Sequence, residues 1–277
     1  MATLRLFAPD PPCEAVPNAD EVLRFHACER HLHWALAIPF TICYQTALIL
    51  VLVYNAHPGL PLRQVVSLIH RTSGVCLAFL PLLVVLWHRR EFRIHLQNIH
   101  GAWRWTLADL KWLVLMGPAA ISRRVSLPHQ GKFNAAEKIN FMFLMATYPV
   151  YIVTGFTIWF LKPAFVSWLV HFTIAAGATP LVFGHIFMAT VNADTRAGLK
   201  GMITGFVDRQ WARHHYRLWY DEVHGSSSDT VAADAALPAL VPPVTAAEPE
   251  PIRHQAPAAD RGRAAGPGQT ANPSFAA

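Results

Sequence analysis

Two histidines, His171 and His185, lie within one uncharged apolar stretch, Ser167 to Val191, which is long enough to cross a bilayer. At ~1.5 Å rise per residue, the two imidazoles are about 21 Å apart along a helix and about 40° apart around it, on nearly the same face. Histidine inside a hydrocarbon-spanning helix costs free energy and usually faces a partner inside the bundle. Because neutral imidazole is a common ligand of iron, the spacing indicates two stacked haems, one in each leaflet.

Glycines on a haem-facing surface would let a flat macrocycle approach the helix backbone. Gly177 and Gly184 lie seven positions apart and therefore share one side of their helix. Gly74 follows His70 by four positions, which places both residues on one face of another span. We predict that these glycines contact the cofactors. The alternative is that they are small residues that allow close helix packing.

The composition indicates an all-α integral membrane protein. Of 277 residues, 53% are hydrophobic and 14% are charged, whereas an ordinary soluble domain has about 25% charged residues. The net charge of +6 does not indicate a nucleic-acid partner, because lysine and arginine cluster in the connections expected to face the cytoplasm. The four cysteines form no CxxC or CxxCH motif, which excludes covalently attached c-type haem and argues against an iron–sulfur cluster in this chain.

Four apolar stretches match the hydrocarbon core of a bilayer, which is about 30 Å thick. They cover approximately residues 34–54, 65–87, 139–160 and 166–191. The middle connection, residues 89–138, holds nine lysines and arginines, whereas the two other connections hold few. This basic excess places both termini and the middle connection in the cytoplasm. We therefore predict a bundle of four transmembrane helices that holds two b-type haems.

The remaining segments are assigned from their composition. Residues 1–23 are expected to form a cytoplasmic N-terminal arm. Residues 24–222 are the predicted dihaem cytochrome b domain, which includes surface helices near 101–115 and 198–222 because their aromatic and basic residues suit the headgroup region. Residues 223–277, rich in alanine and proline, are expected to be a disordered tail.

Depth in the membrane decides which histidines could share a haem, because both axial ligands must lie at the same level. Spans two and four both run from outside to inside, so His70 can meet His171 near the outer surface. His33, at the inner start of span one, can meet His185. His88 is an alternative inner ligand, but its ~27 Å rise from His70 overshoots the ~21 Å between His171 and His185. We predict His33 and keep His88 as the alternative.

Arg71 follows His70 at the outer start of span two and needs a partner for its charge. A haem propionate is one natural partner. The other interpretation is that the side chain extends to the polar surface of the membrane.

Three motifs flank these spans. RFHACERHLHW precedes the first span, GKFNAAEK precedes the third, and GMITGFVDRQWARHHYRLWYDE follows the fourth. Together with the histidine pair of span four, they resemble the gamma subunits of membrane-bound formate dehydrogenases, a family of four-span dihaem cytochromes b. The resemblance covers roughly Arg24 to Glu222. Related cytochrome b anchors of hydrogenases and thiosulfate reductases share the arrangement of histidines and stay open as alternatives.

The resemblance implies an electron-transfer subunit of the bacterial inner membrane. In such complexes a molybdopterin or tungstopterin catalytic subunit oxidises the substrate, and an iron–sulfur subunit delivers the electrons from outside the cytoplasmic membrane. The outer haem, held by His70 and His171, would receive them. The inner haem, held by His33 and His185, would pass them to menaquinone or ubiquinone near the cytoplasmic side.

The resemblance also places Asn134 beside the quinone. Ala136 stands where the family pattern has glycine, so the chain departs from the family at this point. Asn134 followed three residues later by Glu137 is equally a helix-capping pattern, able to start the third span without any quinone.

Two rival functions predict different ligands. A non-haem iron hydroxylase or desaturase could use the HxxxxH pairs His26 with His31 and His95 with His100, but no HxxHH motif accompanies them. A channel or transporter whose histidines line a polar path would bind no haem. An absorption spectrum distinguishes both from a cytochrome b.

Overall fold

The computed structural model describes residues 20–122, 124–161 and 163–225. Most of the predicted N-terminal arm, residues 1–23, lies outside these residues, as does nearly all of the predicted tail, residues 223–277.

In the part of the chain that the structure describes, nine α-helices and two short strands follow one another. In chain order they are β1 (Glu21–Leu23), α1 (Ala27–Ile49), α2 (Arg63–Trp87), α3 (Phe92–Trp103), α4 (Leu107–Ile121), α5 (Ala135–Phe160), α6 (Phe165–Thr190), α7 (Ala197–Thr204), β2 (Phe206–Asp208), α8 (Arg209–His215) and α9 (Arg217–His224). A π-helical segment, Leu50–Tyr54, extends α1, and a 3₁₀ turn, Arg89–Glu91, follows α2.

Four of these helices are long and apolar enough to cross a membrane: α1 with its extension, α2, α5 and α6. They confirm the four predicted spans. Helices α1 and α5 begin earlier than predicted, at Ala27 and Ala135, because each has an additional polar turn before its apolar stretch. The charged side chains in these turns are paired: Glu29 with Lys132 and Lys138 with Asp109.

Side-chain caps determine where two helices begin. The Asn134 side chain accepts a hydrogen bond from the backbone of Glu137 at 2.9 Å, and the Glu137 carboxylate accepts one from the backbone of Asn134 at 2.8 Å. The capping pattern predicted for the third span is therefore confirmed. Thr106 and Asp109 form the same arrangement at the start of α4. Since this cap starts a new helix, the single surface helix predicted over 101–115 is instead divided between α3 and α4.

The long helices form two hairpins, in which α1 packs along α2 and α5 packs along α6. Hydrogen bonds join the hairpins to each other. Tyr44 of α1 donates to Thr179 of α6 at 2.7 Å. Tyr148 of α5 donates to the Leu77 carbonyl of α2 at 3.0 Å. Pro81 cannot donate to that carbonyl four residues earlier, so Tyr148 supplies the hydrogen bond that the proline removes.

An end cap, formed by β1, β2 and α7 to α9, covers the end of the bundle where α1 and α5 begin. Its strands pair antiparallel, with Val22 opposite Val207. Its buried core consists of Val22, Val207, Ala212, Tyr216, Trp219 and Tyr220. Arg24 joins the cap to the bundle, since its guanidinium lies 3.5 Å from the Tyr216 ring centroid and donates to the Lys132 carbonyl at 3.0 Å.

We predict that Gly205→Ala destabilises the end cap. Gly205 has φ +95°, and a Cβ there would lie 3.0 Å from the Phe25 carbonyl oxygen and would overlap the Arg30 side chain. The free energy of unfolding should fall by about 1–3 kcal/mol, measured by thermal unfolding in detergent. Gly225→Ala is the matched control, because φ is +78° but no described atom lies within 4 Å of the new Cβ. An equal loss of unfolding free energy in both variants would show that the positive φ causes the loss and that the contacts with Phe25 and Arg30 do not.

Candidate functional site

An outer histidine pair is formed by His70 of α2 and His171 of α6. The centroids of the two rings lie 6.4 Å apart, and the ring planes are inclined at 70°. Both side chains are partly buried. The structure therefore brings together the two histidines that membrane depth predicted to meet near the outer surface.

Helix α1 orients the His70 ring. Its Nδ1 lies 3.0 Å from the Cys43 carbonyl oxygen and 3.0 Å from Thr46 Oγ1. Thr46 donates its hydroxyl proton to the Ile42 carbonyl at 2.7 Å. Because that proton is already used, Thr46 Oγ1 acts as an acceptor and His70 Nδ1 carries the hydrogen. The unprotonated nitrogen of His70 is therefore Nε2, which carries the lone pair.

Helix α5 orients the His171 ring in the same way. Thr154 Oγ1 lies 2.8 Å from His171 Nδ1 and donates its own proton to the Val150 carbonyl at 2.6 Å. When His171 binds a metal through Nε2, its Nδ1 carries the hydrogen and Thr154 Oγ1 accepts it.

A cavity of about 280 Å³ lies beside this outer pair. Both histidines line it, together with Arg71, Gly74 and Tyr151. The Arg71 guanidinium lies 5.6 Å from the Trp159 ring centroid in a cation–π arrangement. A positive charge, a glycine and aromatic walls therefore surround the space next to the two imidazoles.

An inner pair is formed by His33 of α1 and His185 of α6. Their ring centroids lie 6.2 Å apart, and the ring planes are inclined at 49°. His33 Nδ1 is buried and has no hydrogen-bond partner within the described residues. The Glu137 carboxylate lies close enough to His185 to interact with it electrostatically.

His88, the alternative inner residue, lies elsewhere. Its Nε2 is 2.9 Å from His31 Nδ1, and its Nδ1 is 3.4 Å from the Glu91 carboxylate. Both ring nitrogens of His88 therefore have neighbours other than His185. The structure brings His33, and not His88, to His185.

Both pairs have the separation that a shared metal requires. A five-membered ring with bonds of about 1.33 Å has a radius of about 1.1 Å. An imidazole nitrogen lies about 2 Å from a bound metal. Two imidazoles on opposite sides of one iron would thus have centroids about 6 Å apart, which fits the observed 6.4 and 6.2 Å. The residues present therefore fit a haem at each level.

The predicted glycines leave space at both levels. A Cβ built on Gly74, Gly177 or Gly184 would have no heavy atom within 4 Å, in the part of the chain that is described. Gly74 also lines the outer cavity. Gly177 and Gly184 are exposed on α6.

Asn134 lies in a hydrogen-bonded group at the start of α5. The Tyr216 hydroxyl of the end cap donates to the Glu137 carboxylate at 2.7 Å, and Glu137 in turn forms the cap with Asn134. Burial raises the pKa of Tyr216 above its ordinary value, and the negative charge of Glu137 raises it further. Lys132, two positions before Asn134, pairs with Glu29 of α1. These contacts hold the start of α5 against α1 and the end cap.

Among the described residues, no group of three or more histidine, cysteine or acidic side chains is arranged to hold a metal ion. Such a group is what the rival non-haem iron interpretation requires.

Several residues at the outer pair were missed by sequence reasoning. The two threonines that bond the imidazoles, Thr46 and Thr154, are polar residues within apolar spans. The predicted topology puts them at the depth of His70 and His171, and this signal could have identified them. Tyr151 packs edge-on against His171 with ring centroids 5.4 Å apart. No local pattern marks Tyr151, because its position depends on how α5 and α6 pack.

Comparisons with known proteins agree on one family. The model of the family described as prokaryotic cytochrome b561 matches residues 24–205. The nitrate-inducible formate dehydrogenase cytochrome b556(Fdn) subunit of Escherichia coli (strain K12) is 29% identical over 125 residues, which are 42% of this chain and 55% of that protein. The matched segment thus spans about half the length of that relative.

Two other relatives match over a greater length. The formate dehydrogenase cytochrome b556 subunit of Haemophilus influenzae is 24% identical over 221 residues, covering 75% of this chain and 85% of that protein. The formate dehydrogenase cytochrome b556(fdo) subunit of Escherichia coli (strain K12) is 24% identical over 218 residues, covering 74% of this chain and 94% of that protein.

Proposed function

The chain belongs to the prokaryotic cytochrome b561 family, and on that basis we propose that it is the dihaem cytochrome b subunit of a membrane-bound formate dehydrogenase. Its role is to carry electrons from an iron–sulfur subunit outside the cytoplasmic membrane to the quinone pool. The names of the three relatives support the choice of formate dehydrogenase. The substrate is oxidised on a molybdopterin or tungstopterin partner subunit, and the chain itself lies in the bacterial inner membrane with both termini in the cytoplasm.

The observation that carries this proposal is the presence of two histidine pairs with ring centroids 6.4 and 6.2 Å apart. His70 and His171 hold the outer haem, and His33 and His185 hold the inner one. When bound, a haem accepts and releases single electrons. Arg71 lines the outer cavity and supplies a positive charge for a carboxylate there.

The glycines give the cofactors access to the backbone. Gly74 lines the cavity at the outer level, while a Cβ on Gly177 or Gly184 of α6 would have no described heavy atom within 4 Å. Gly74 lies one turn from His70 and Gly184 directly precedes His185, so a larger side chain at either position would lie next to a histidine pair. This supports their assignment as cofactor contacts.

Asn134 contributes to a site for menaquinone or ubiquinone at the inner end of the bundle. Its oxygen caps α5, and its amide nitrogen carries two protons. The cap uses only the oxygen and the backbone of Asn134, so an amide proton can be donated to a quinone carbonyl. The neighbouring Glu137 lies close to His185, which supports placing the quinone beside the inner pair.

Inward electron movement stores energy in this arrangement. Each electron moves against a potential that is negative inside, at a cost of ~2.3 kcal/mol per 100 mV. Protons taken up on the inner side complete the reduction of the quinone. Glu137 and Lys132 are the charged side chains closest in sequence to Asn134 on that side, and we assign neither a catalytic role.

We expect the purified chain to contain two b haems, measured by its reduced-minus-oxidised absorption spectrum and by haem content per polypeptide. His70→Ala and His171→Ala should each remove the outer haem, since each variant loses one of its two imidazole ligands. His33→Ala and His185→Ala should each remove the inner haem. His88→Ala is the matched control and should retain both. A flat spectrum would refute the proposal, and loss of the inner haem from the His88 variant would refute the inner assignment.

We expect Asn134→Ser to slow quinol-linked haem oxidation about tenfold, since one hydrogen bond to the quinone is lost. Serine retains an oxygen that can cap α5, so the helix start is preserved. The rate is measured by stopped-flow absorption, with both haem bands intact. Thr106→Ala, which removes the equivalent cap of α4, is the control for helix stability and should leave the rate unchanged. An unchanged rate in the Asn134 variant would show that this residue only caps the helix and does not bind the quinone.

A further inference from the structure

The two histidine pairs differ in the hydrogen bonds that their imidazoles make. At the outer pair, each Nδ1 has a bonded acceptor: Cys43 oxygen and Thr46 Oγ1 for His70, and Thr154 Oγ1 for His171. At the inner pair, His33 Nδ1 is buried without a hydrogen-bond partner among the residues described. Among the described residues, acceptors from neighbouring helices thus hold both outer imidazoles, whereas His33 has none at Nδ1.

The direction of these hydrogen bonds follows from the threonine protons. A threonine hydroxyl has one proton. Thr154 uses its proton on the Val150 carbonyl of the preceding turn, and Thr46 uses its proton on the Ile42 carbonyl. Each oxygen therefore keeps a lone pair for the Nδ1–H that an imidazole carries when its Nε2 binds a metal. The Cys43 carbonyl oxygen, which can only accept, places the hydrogen of His70 on Nδ1 in any case.

We propose that Thr46 and Thr154 are positioning residues that set the reduction potential of the outer haem site and lower it. The inference rests on the proposed function, because it concerns the haem that His70 and His171 hold. An imidazole whose Nδ1–H donates to an acceptor is a more basic ligand at Nε2. A more basic ligand stabilises the oxidised metal, so the outer site releases its electron more readily towards the inner site.

Other charges act on both sites, and the threonine variants leave them in place. Arg71 lines the outer cavity and opposes the effect, since a positive charge favours the reduced state. Glu137 lies near His185 at the inner pair. The threonines are neutral, so replacing them changes the hydrogen bonds to the imidazoles without changing any formal charge.

The test is a potentiometric titration of the detergent-purified complex, followed by absorption spectroscopy that resolves the two haems. Thr154→Val has nearly the shape of threonine but cannot accept the hydrogen bond. At a fixed ambient potential, the reduced-to-oxidised ratio of the outer haem should rise about fivefold, the equivalent of one hydrogen bond. The inner haem should not change. Thr46→Val should give a smaller rise, because the Cys43 carbonyl still accepts from His70.

Two controls separate the hydrogen bond from general packing effects. Thr154→Ser retains the hydroxyl and should restore the native potential. Thr147→Val removes another hydroxyl of α5, one that donates to the Phe143 carbonyl and, within the described residues, forms no hydrogen bond to a histidine. It should leave both potentials unchanged.

The inference fails if both haems are bound and Thr154→Val leaves the outer potential unchanged, or if the inner potential moves instead. Loss of the outer haem from both valine variants would also overturn it, because the hydroxyls would then retain the haem rather than tune it. Absence of haem from the unmodified complex would refute the proposed function itself, which makes the two failures distinguishable.

Discussion

An imidazole buried in an apolar bundle needs a partner for each ring nitrogen, and the outer half of this structure is arranged around that requirement. The hydroxyls of Thr46 and Thr154 each donate a hydrogen bond to a carbonyl of their own helix, and each oxygen also bonds to a histidine on the adjacent helix. With Nδ1 satisfied in both His70 and His171, the two Nε2 lone pairs are left for a ligand between the rings. The hydrogen bonds therefore fix the orientation of both rings and the tautomer of His70, whose Nδ1 also faces the Cys43 carbonyl.

The hairpin arrangement explains how one helix can serve both levels. Each outer histidine is oriented by the other helix of its own hairpin, α1 for His70 and α5 for His171. Each pair is then completed across the hairpins, because α6 supplies one histidine at both depths. The bonds from Tyr44 to Thr179 and from Tyr148 to α2 join the hairpins between their ends. Their association therefore assembles both pairs.

The two ends of the bundle differ in their chemistry. The outer pair is surrounded by neutral hydroxyls and aromatic rings, with Arg71 as the charged group lining its cavity. At the opposite end, ion pairs join α1, α4 and α5, and the end cap contributes the Tyr216 hydroxyl to Glu137. Groups that can exchange protons with water are thus concentrated where we propose that quinone is reduced, and the proposed role of the other end is to receive electrons.

The sequence by itself determined the four spans, the cap that starts α5 and the histidines available at each depth, because hydropathy, capping residues and helical rise are properties of single segments. The tertiary structure alone decided that His33 rather than His88 lies against His185, since His88 instead contacts His31 and Glu91 across the α1–α2 hairpin. It also decided the roles of Thr46, Thr154 and Tyr151. These three side chains contact an imidazole only because two helices pack at a particular relative height. That relative height cannot be predicted from the sequence pattern of either helix alone.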